Sequence, residues 1–287
     1  MQVALGQLPI SSAPQVNLER VADAAASAAA QGAELIVFPE GTQARFSADL
    51  RAVAEPLDGP FCQGLAVAAR SAGLALVASL FEPAPDGRVY NTTVGYQADG
   101  SLAAVYRKIH LFDALGYHES DSVAPGNEAV VASLGALRVG FMTCYDVRFP
   151  ELARALAVAG ADLLVIPAAW AAGTFKEEHW VTLVRARAIE NTIWVAAAGQ
   201  VPDPAEPPTR APTGVGRSLL VDPMGVVCLD LGPAAGLGVG DVDTSRTASV
   251  RAELPSLANR RTDFLASGST VGTQPGPALH HATASGP

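Results

Sequence analysis

The chain has 287 residues, of which 49% are hydrophobic and 16% are charged, and its formal net charge is −9. This much apolar material is typical of a folded protein with a sizeable core, and it argues against disorder over most of the chain. The acidic balance disfavours binding to nucleic acid or to an anionic membrane, because both need clustered lysine and arginine.

Helices and strands are predicted to alternate along the chain. Strands are predicted, in order, at residues 3–8, 34–38, 74–82, 88–97, 102–108, 136–144, 162–168 and 192–199, with a hairpin at 216–231. Helices are predicted at residues 17–30, 61–72, 150–160 and 177–191. The runs IVF, LLVI and WVAAA are apolar at consecutive positions, which is typical of strands buried on both faces. The pattern therefore predicts an α/β fold.

The predicted elements form one domain over residues 1–265, because no linker interrupts the alternation. Residues 266–287 are rich in Gly, Ser, Thr and Pro, and we predict a disordered tail there. Residues 201–214 carry five prolines between apolar segments. They are predicted to be a loop within the domain, long enough to reach the mouth of a substrate pocket.

Features of export or membrane insertion are not seen in the sequence. The N-terminus MQVALGQLPI has no basic residue before Arg20, and the most apolar stretch, residues 155–173, is interrupted by Gly, Asp and Pro. An odd set of widely spaced cysteines disfavours a disulfide framework or a zinc site; these are Cys62, Cys144 and Cys228. The simplest interpretation is a cytoplasmic protein.

Three predicted strands are each followed by a reactive side chain. Glu40 follows ELIVFP, Lys108 follows LAAVYR, and Cys144 follows RVGFMT. Chemistry in α/β proteins gathers at the carboxyl ends of strands. A thiol needs a base, a carboxylate in a dry pocket can take its proton, and an ammonium can stabilise an oxyanion. Pro150 suits the first turn of a helix, so Cys144 is predicted to lie in a tight strand-to-helix turn.

Each of these residues also has an ordinary structural interpretation. A cysteine after an apolar strand is usually a small buried hydrophobic residue, and Glu40 could cap the next segment. Lys108 alone could be a solvated charge at a strand end. Three independent accidents explain the joint placement poorly, so the set is interpreted as catalytic.

The sequence resembles the nitrilase superfamily of carbon–nitrogen hydrolases, whose triad is Glu, Lys and Cys in that chain order. The matching stretches, which span essentially residues 1–265, are ELIVFPE, YRKIHLFD, GFMTCYDVRFPEL, HWVTLVRARAIEN and GRSLLVDPMG. CYDVRFPEL, KIHLFD and HW…RARAIEN are most similar to the Nit amidase branch. Members of that branch hydrolyse small amides bearing a carboxylate, such as deaminated glutathione and α-keto acid ω-amides. True nitrilases and N-carbamoyl amino acid hydrolases differ after the cysteine and rank lower.

The resemblance implies a four-layer αββα sandwich, a homodimer or higher homo-oligomer, and a cysteine amidase that needs no metal or organic cofactor. Its implied partner is a small-molecule amide. Glu40 would take the proton of Cys144, which attacks the amide carbonyl. Lys108 and the backbone N–H of Tyr145 would hold the oxyanion, and a thioester would then be hydrolysed by water.

The resemblance also indicates accessory residues. Glu119, in GYHES, matches a second carboxylate that would orient Lys108; its alternative is a solvated loop residue. Arg148 would bind a substrate carboxylate, or else pair with Glu151 in its own helix. Trp170 would line the pocket, or else pack in the core.

Other interpretations stay open at this point. A Cys–His hydrolase would use His110 or His179 as base, although His179 looks structural in this family. An inactive homologue kept as a binding protein would have lost a triad residue, whereas this sequence has all three. The glycine run 236–241 lacks nucleotide-binding spacing and a following helix, so strand and turn are predicted. Helix charges at Arg185, Arg187 and Glu190 would be solvated or lie in a dimer interface.

Overall fold

A computed structural model describes residues 1–262. Within these residues the strands are β1 (Gln2–Gln7), β2 (Leu35–Val37), β3 (Ala75–Pro83), β4 (Val89–Tyr96), β5 (Leu102–Arg107), β6 (Asp113–Ala114), β7 (Tyr117–His118), β8 (Val123–Ala124), β9 (Val131–Leu134), β10 (Leu137–Phe141), β11 (Leu163–Ala168), β12 (Trp194–Gly199), β13 (Leu219–Val221), β14 (Val227–Asp230) and β15 (Gly236–Asp241). The α-helices are α1 (Pro14–Ala30), α2 (Leu50–Val53), α3 (Pro60–Ala72), α4 (Pro150–Val158), α5 (Lys176–Asn191) and α6 (Thr244–Glu253). Short 3-10 helices span Glu119–Asp121 and Cys144–Arg148.

Two sheets of similar plan form the centre of the molecule. The first has the strand order β15-β1-β2-β3-β4-β5, with β8 also paired to β4, and the second has the order β14-β13-β12-β11-β10-β9. Each contains three adjacent parallel strands, β1 to β3 in the first and β10 to β12 in the second. Antiparallel strands flank each parallel core. The parallel strands bring several carboxyl ends to one edge of each sheet.

The strands alternate between two apolar layers. Val3 and Leu5 of β1 belong to a core shared with the second sheet, whereas Ala4 packs in a cluster with residues of α1 and α3. Helices α4 and α5 contact the second sheet from its other face. The predicted α/β fold is therefore confirmed as helix, sheet, sheet and helix in four layers.

Several element boundaries and short elements differ from the sequence prediction. The predicted strand 136–144 ends at Phe141, because the chain leaves the sheet to form the 3-10 turn that begins at Cys144. The glycine run 236–241 is a full strand, β15, which pairs along the whole of β1, and a helix, α6, does follow it. Short elements such as α2 and the β6–β7 ribbon carry too few residues to show a period. The last residues of the predicted domain, 263–265, and the whole predicted tail, residues 266–287, lie outside the described residues.

No helix in the described part of the chain is long and apolar enough to cross a membrane.

The proline-rich loop 201–214 is fastened to the body of the protein by its acidic residues. The Glu206 carboxylate accepts hydrogen bonds from Ser11 and Ser12 and lies 3.3 Å from the Arg45 guanidinium. Asp203 pairs with Arg20 at 2.7 Å. These contacts, led by the Ser11 hydrogen bond, lower the pKa of Glu206 to about 2, so the fastening persists through the physiological pH range.

Candidate active site

Glu40 lies buried just beyond the end of β2. Its Oε1 atom accepts hydrogen bonds from Lys108 Nζ and Asn91 Nδ2, both at 2.8 Å. Its Oε2 atom accepts the backbone N–H of Ala169, also at 2.8 Å. The carboxylate is therefore held at both oxygens, with one donor from the second sheet and two from the first.

Lys108 follows β5 in the first sheet and is fully enclosed. Its ammonium donates to Glu40 at 2.8 Å and to the two oxygens of Glu119 at 3.1 and 2.8 Å. Burial by itself would lower the pKa of Lys108, but the charges of Glu119 and Glu40 outweigh it and raise that pKa well above its usual range. Lys108 is therefore a fixed positive charge.

Glu119 is a buried residue and not a solvated loop residue. It opens a 3-10 turn and is 1% exposed. Besides Lys108, its Oε2 accepts the backbone N–H of Phe112 at 2.7 Å. This contact fixes the segment after Lys108 around the carboxylate.

Asn91 completes this cluster and was not predicted from the sequence. Its side-chain amide donates to Glu40 at 2.8 Å and to Glu119 at 3.2 Å, and its backbone carbonyl accepts the N–H of Lys108. In the sequence it stands inside the alternating strand RVYNTTVGY, where a polar residue usually marks the solvent face. Four side chains, Glu40, Asn91, Lys108 and Glu119, thus form one hydrogen-bonded cluster.

Cys144 lies on a strained turn after β10 in the second sheet. Its φ angle is +46°, a left-handed value that few residues other than glycine adopt. Thr143 and Asp146 hold the turn through reciprocal hydrogen bonds between their side chains and each other's backbone N–H. The Arg187 guanidinium adds a bond to the Val147 carbonyl at 2.8 Å. Over-determined strain of this kind is frequent at functional sites.

Cys144 lies beside the hydrogen-bonded cluster, next to Glu40 and Lys108. Burial, followed by the charge of Glu40, raises its pKa well above the ordinary range, and the charge of Lys108 opposes this only in part. Cys144 and Glu40 line the same cavity, and the Ala169 N–H that donates to Glu40 lies beside them. At neutral pH the resting cysteine is therefore a thiol beside a carboxylate, and needs that base before it can attack.

All of the predicted site residues except Arg148 line one cavity. This inner cavity has an empty volume of about 330 Å³, and its walls include Glu40, Lys108, Glu119, Cys144, Tyr145 and Trp170, together with Phe112, Ala169, Lys176 and Pro212. Trp170 fits both of its interpretations, since it lines the cavity and is buried against Trp180, with ring centroids 5.2 Å apart. Pro212 brings the proline-rich loop to the cavity, as its length predicted.

Arg148 lies outside the inner cavity, in an adjoining outer cleft of about 900 Å³ that shares Phe112, Tyr145 and Lys176 with it. Among residues 1–262 no carboxylate lies within 4 Å of its guanidinium, so the alternative ion pair with Glu151 does not form. The guanidinium instead lies 4.9 Å from the Trp170 ring centroid.

The two histidines considered as bases do not line the inner cavity. His110 stacks on Phe149 and contacts Asp146 at 2.7 Å, so it holds the turn after Cys144. His179 is exposed and lies 3.5 Å from Arg148. Of the helix charges, Arg187 is buried and pairs with Glu190 in its own helix at 2.5 Å.

Two chemical tools are assembled here. One is a thiol with a carboxylate beside it, which can be deprotonated as it attacks an electrophilic carbon. The other is a charged ammonium with nearby backbone N–H groups, which can stabilise developing negative charge on oxygen. In the described residues no three His, Cys, Asp or Glu side chains are grouped to hold a metal ion.

Comparisons with known proteins agree with this geometry. A family profile described as Carbon-nitrogen hydrolase matches residues 2–252. The chain is 44% identical over 273 residues to Hydrolase Rv0480c of Mycobacterium tuberculosis, covering 92% of this chain and 97% of the relative. It is 39% identical over 265 residues to the Deaminated glutathione amidase of Escherichia coli O157:H7, covering 91% and 97%.

A solved structure also points to the carbon–nitrogen hydrolase family. It is a mutant of an amidase from Nesterenkonia sp. AN1, in which the acetamide moiety of fluoroacetamide is covalently attached at the active-site cysteine. The two folds superpose with a TM-score of 0.77 at 29% identity, covering 92% of this chain and 95% of that one. The chain therefore belongs to the carbon–nitrogen hydrolase family of enzymes, within the Nit-type amidase branch of the nitrilase superfamily.

Proposed function

We propose that the protein is a cysteine amidase that hydrolyses a small amide bearing a carboxylate to the acid and ammonia. The observation that carries this proposal is the meeting of Cys144 with Glu40 and Lys108 in one cavity. The Escherichia coli relative, named for an amide substrate, supports the reaction class.

Acylation begins with the thiol and the carboxylate beside it. Glu40 takes the proton of Cys144 as the sulfur attacks the amide carbon, and a C–S bond forms while the carbonyl oxygen becomes an oxyanion. Lys108 and the backbone N–H of Tyr145 stabilise that oxyanion, the latter because N–H groups in the first turn of a helix lack internal acceptors. When the C–N bond breaks, protonated Glu40 gives its proton to the nitrogen and ammonia leaves.

Deacylation uses the same groups in reverse. Glu40, again a carboxylate, removes a proton from water, and the resulting hydroxide adds to the thioester carbon. The C–S bond breaks and the proton returns from Glu40 to sulfur, which leaves the carboxylic acid product and the resting enzyme. Glu119 and Asn91 keep the carboxylate and the ammonium in place throughout, through the hydrogen bonds described above.

The proposal that the substrate bears a carboxylate is supported by an unpaired positive charge at the mouth of the cavity. Arg148 is a guanidinium with no carboxylate partner in residues 1–262, stacked near Trp170 at the outer cleft. Guanidinium groups bind carboxylates through two parallel hydrogen bonds. A substrate whose amide reaches Cys144 would place its other end towards this cleft.

The test is ammonia release from a panel of compounds by the parent protein and two cysteine variants. The panel holds carboxylate-bearing amides (deaminated glutathione, α-ketoglutaramate and succinamate), simple aliphatic amides, N-carbamoyl amino acids and nitriles. We expect the carboxylate-bearing amides to react fastest, Cys144→Ala to be inactive, and Cys228→Ala, which alters an exposed cysteine of β14, to match the parent. Activity of Cys144→Ala equal to the parent would refute the mechanism. Faster turnover of nitriles or carbamoyl compounds would refute the substrate class alone.

A further inference from the structure

The use of lysine in this chain is unusual. Nineteen residues are lysine or arginine, yet the only lysines are Lys108 and Lys176. Both line the inner cavity beside Cys144. Lys108 belongs to the hydrogen-bonded cluster already described, whereas the mechanism above gives Lys176 no role.

Lys176 is a buried cation without an anionic partner. The residue is 5% exposed, and its ammonium lies between aromatic rings, 4.3 Å from the Trp170 centroid and 5.2 Å from the Phe112 centroid. Within residues 1–262 the ammonium makes no salt bridge and no hydrogen bond. The rings hold the charge in position through cation–π attraction but do not neutralise it. The ammonium opens onto the inner cavity and the outer cleft, so it is available to an anionic ligand.

The backbone is shaped to direct this residue inward. Lys176 is the first residue of α5, and the preceding Phe175 has a φ angle of +57°, strained for a non-glycine residue. Phe175 is 73% exposed, so the turn places the aromatic side chain outside and the lysine inside. Trp170 is tied to the same turn, because its indole N–H donates to the Lys176 carbonyl at 2.7 Å.

The surroundings of Lys176 disfavour a positive charge in three ways. It is buried, it occupies the positive end of a helix dipole, and it lies near the cationic Arg148. Burial and then the charge of Arg148 lower the pKa of Lys176, opposed only weakly by Cys144. An anion bound at the ammonium would relieve all three effects, since helix N-termini and cations both attract negative charge.

We propose that the Lys176 ammonium binds the substrate carboxylate that lies furthest from the scissile amide, and so selects monoamides of short dicarboxylic acids. The proposal rests on the proposed function and deepens it. Because Lys176 and Cys144 line the same inner cavity, the carbon chain between amide and carboxylate must be short. Arg148, which lines only the outer cleft, would then act on the same carboxylate from further out.

The first test compares two amides of similar shape, succinamate and butyramide, which differ in the terminal carboxylate. In Lys176→Met the ratio of kcat/KM for succinamate over butyramide should fall by at least about tenfold, mainly through KM. Lys176→Arg should keep part of the preference, because it keeps the charge. Arg70→Met, which removes an exposed cation from α3, should keep the parent ratio.

The outcomes separate this proposal from the proposed function. If the parent prefers butyramide or releases ammonia from neither amide, the carboxylate-bearing substrate class is wrong and this proposal falls with it. If the parent prefers succinamate and Lys176→Met keeps that preference, only the role of Lys176 is wrong. Equal loss on both amides would assign Lys176 a structural role in the Trp170 turn and would overturn the proposal.

A second test leaves Lys176 unchanged. Cys144→Ala protein labelled with ¹³C-lysine should give two side-chain ε-carbon signals, because the chain has two lysines. Succinamate should move the Lys176 signal, assigned from Lys176→Arg in the same background, and butyramide should not. No movement with succinamate above the parent's KM would overturn the proposal, whatever the kinetic variants do.

Discussion

The floor of the inner cavity, formed by Lys108, Glu40 and Glu119, pairs its positive charge with carboxylates. The mouth, where Lys176 and Arg148 lie, leaves its positive charges unpaired among residues 1–262. On the floor, the ammonium of Lys108 lies 2.8 Å from Glu40 and 2.8 Å from Glu119. At the mouth, neither Lys176 nor Arg148 pairs with a carboxylate among residues 1–262; both lie near the Trp170 ring, and Arg148 lies 3.5 Å from His179. The paired cation is fixed before substrate arrives, as electrostatic catalysis requires. In our proposal the unpaired cations are completed by the substrate carboxylate, as selection by charge requires.

The largest effect should come from breaking the pairing on the floor. Lys108→Met leaves two carboxylates buried together, which should lower the free energy of unfolding by about 3–5 kcal/mol and lower kcat by about 10²-fold or more. Urea unfolding and ammonia release measure the two losses.

The neighbour Arg107 supplies the matched control for Lys108. It pairs with Glu82 at 3.0 Å, and its own side chain is 43% exposed while that of Glu82 is 8% exposed, so Arg107→Met should cost about 1–2 kcal/mol, less than Lys108→Met. Adding Glu119→Gln to Lys108→Met should restore part of the stability, because one buried negative charge is removed. Equal destabilisation by the two methionine variants would mean that the buried pairing is not the source.

The next effect concerns the base. Glu40→Gln keeps the shape of the side chain but cannot accept the Cys144 proton, so the rate of acyl-enzyme formation should fall by about 10²–10⁴-fold. Intact-protein mass spectrometry after mixing with substrate follows the thioester. His179→Ala should lose far less, since that side chain lies outside the inner cavity. The reverse order of effects would favour a Cys–His mechanism.

The smallest effect is a pH dependence at the mouth. Burial and Arg148 lower the pKa of Lys176, so its ammonium should be lost below the usual lysine range as pH rises. Carboxylate binding favours the charged form, and the KM for succinamate should therefore rise with pH through that range. Butyramide is the internal control, because any pH dependence of the catalytic step acts on both amides. Parallel pH profiles for the two amides would contradict the assignment.

The sequence predicted the floor of the site better than the mouth. Glu40, Lys108 and Cys144 each follow an apolar strand. This pattern is visible in the local sequence and does not depend on how the strands pack. Asn91 was missed because it looks like one polar residue in an alternating strand, and its partners come from elsewhere in the chain. The ion pair of Arg148 with Glu151 was a reasonable local alternative, but the guanidinium turns to Trp170 instead.

Lys176 shows why such residues escape sequence reasoning. In TFKEEHW it precedes two acidic residues and looks like a solvated charge at a helix start. The left-handed Phe175 reverses this expectation, and backbone strain of that kind has no signature in a single sequence. The roles of these residues in catalysis and binding stay predictions until the variants are measured.

The fastening of the proline-rich loop has a consequence for the order in which the enzyme is built. Glu206 bonds to Ser11 across 195 positions of sequence, whereas the longest hydrogen bond to the Glu40 side chain, from Ala169, spans 129. Each of these contacts can form only after both of its residues have been synthesised. During synthesis residue 206 also emerges after Glu40, Lys108, Cys144 and Ala169. We therefore expect the catalytic residues on the floor to come together before Pro212 reaches the cavity. A nascent chain would then have its catalytic groups in place before the loop that shapes its substrate pocket.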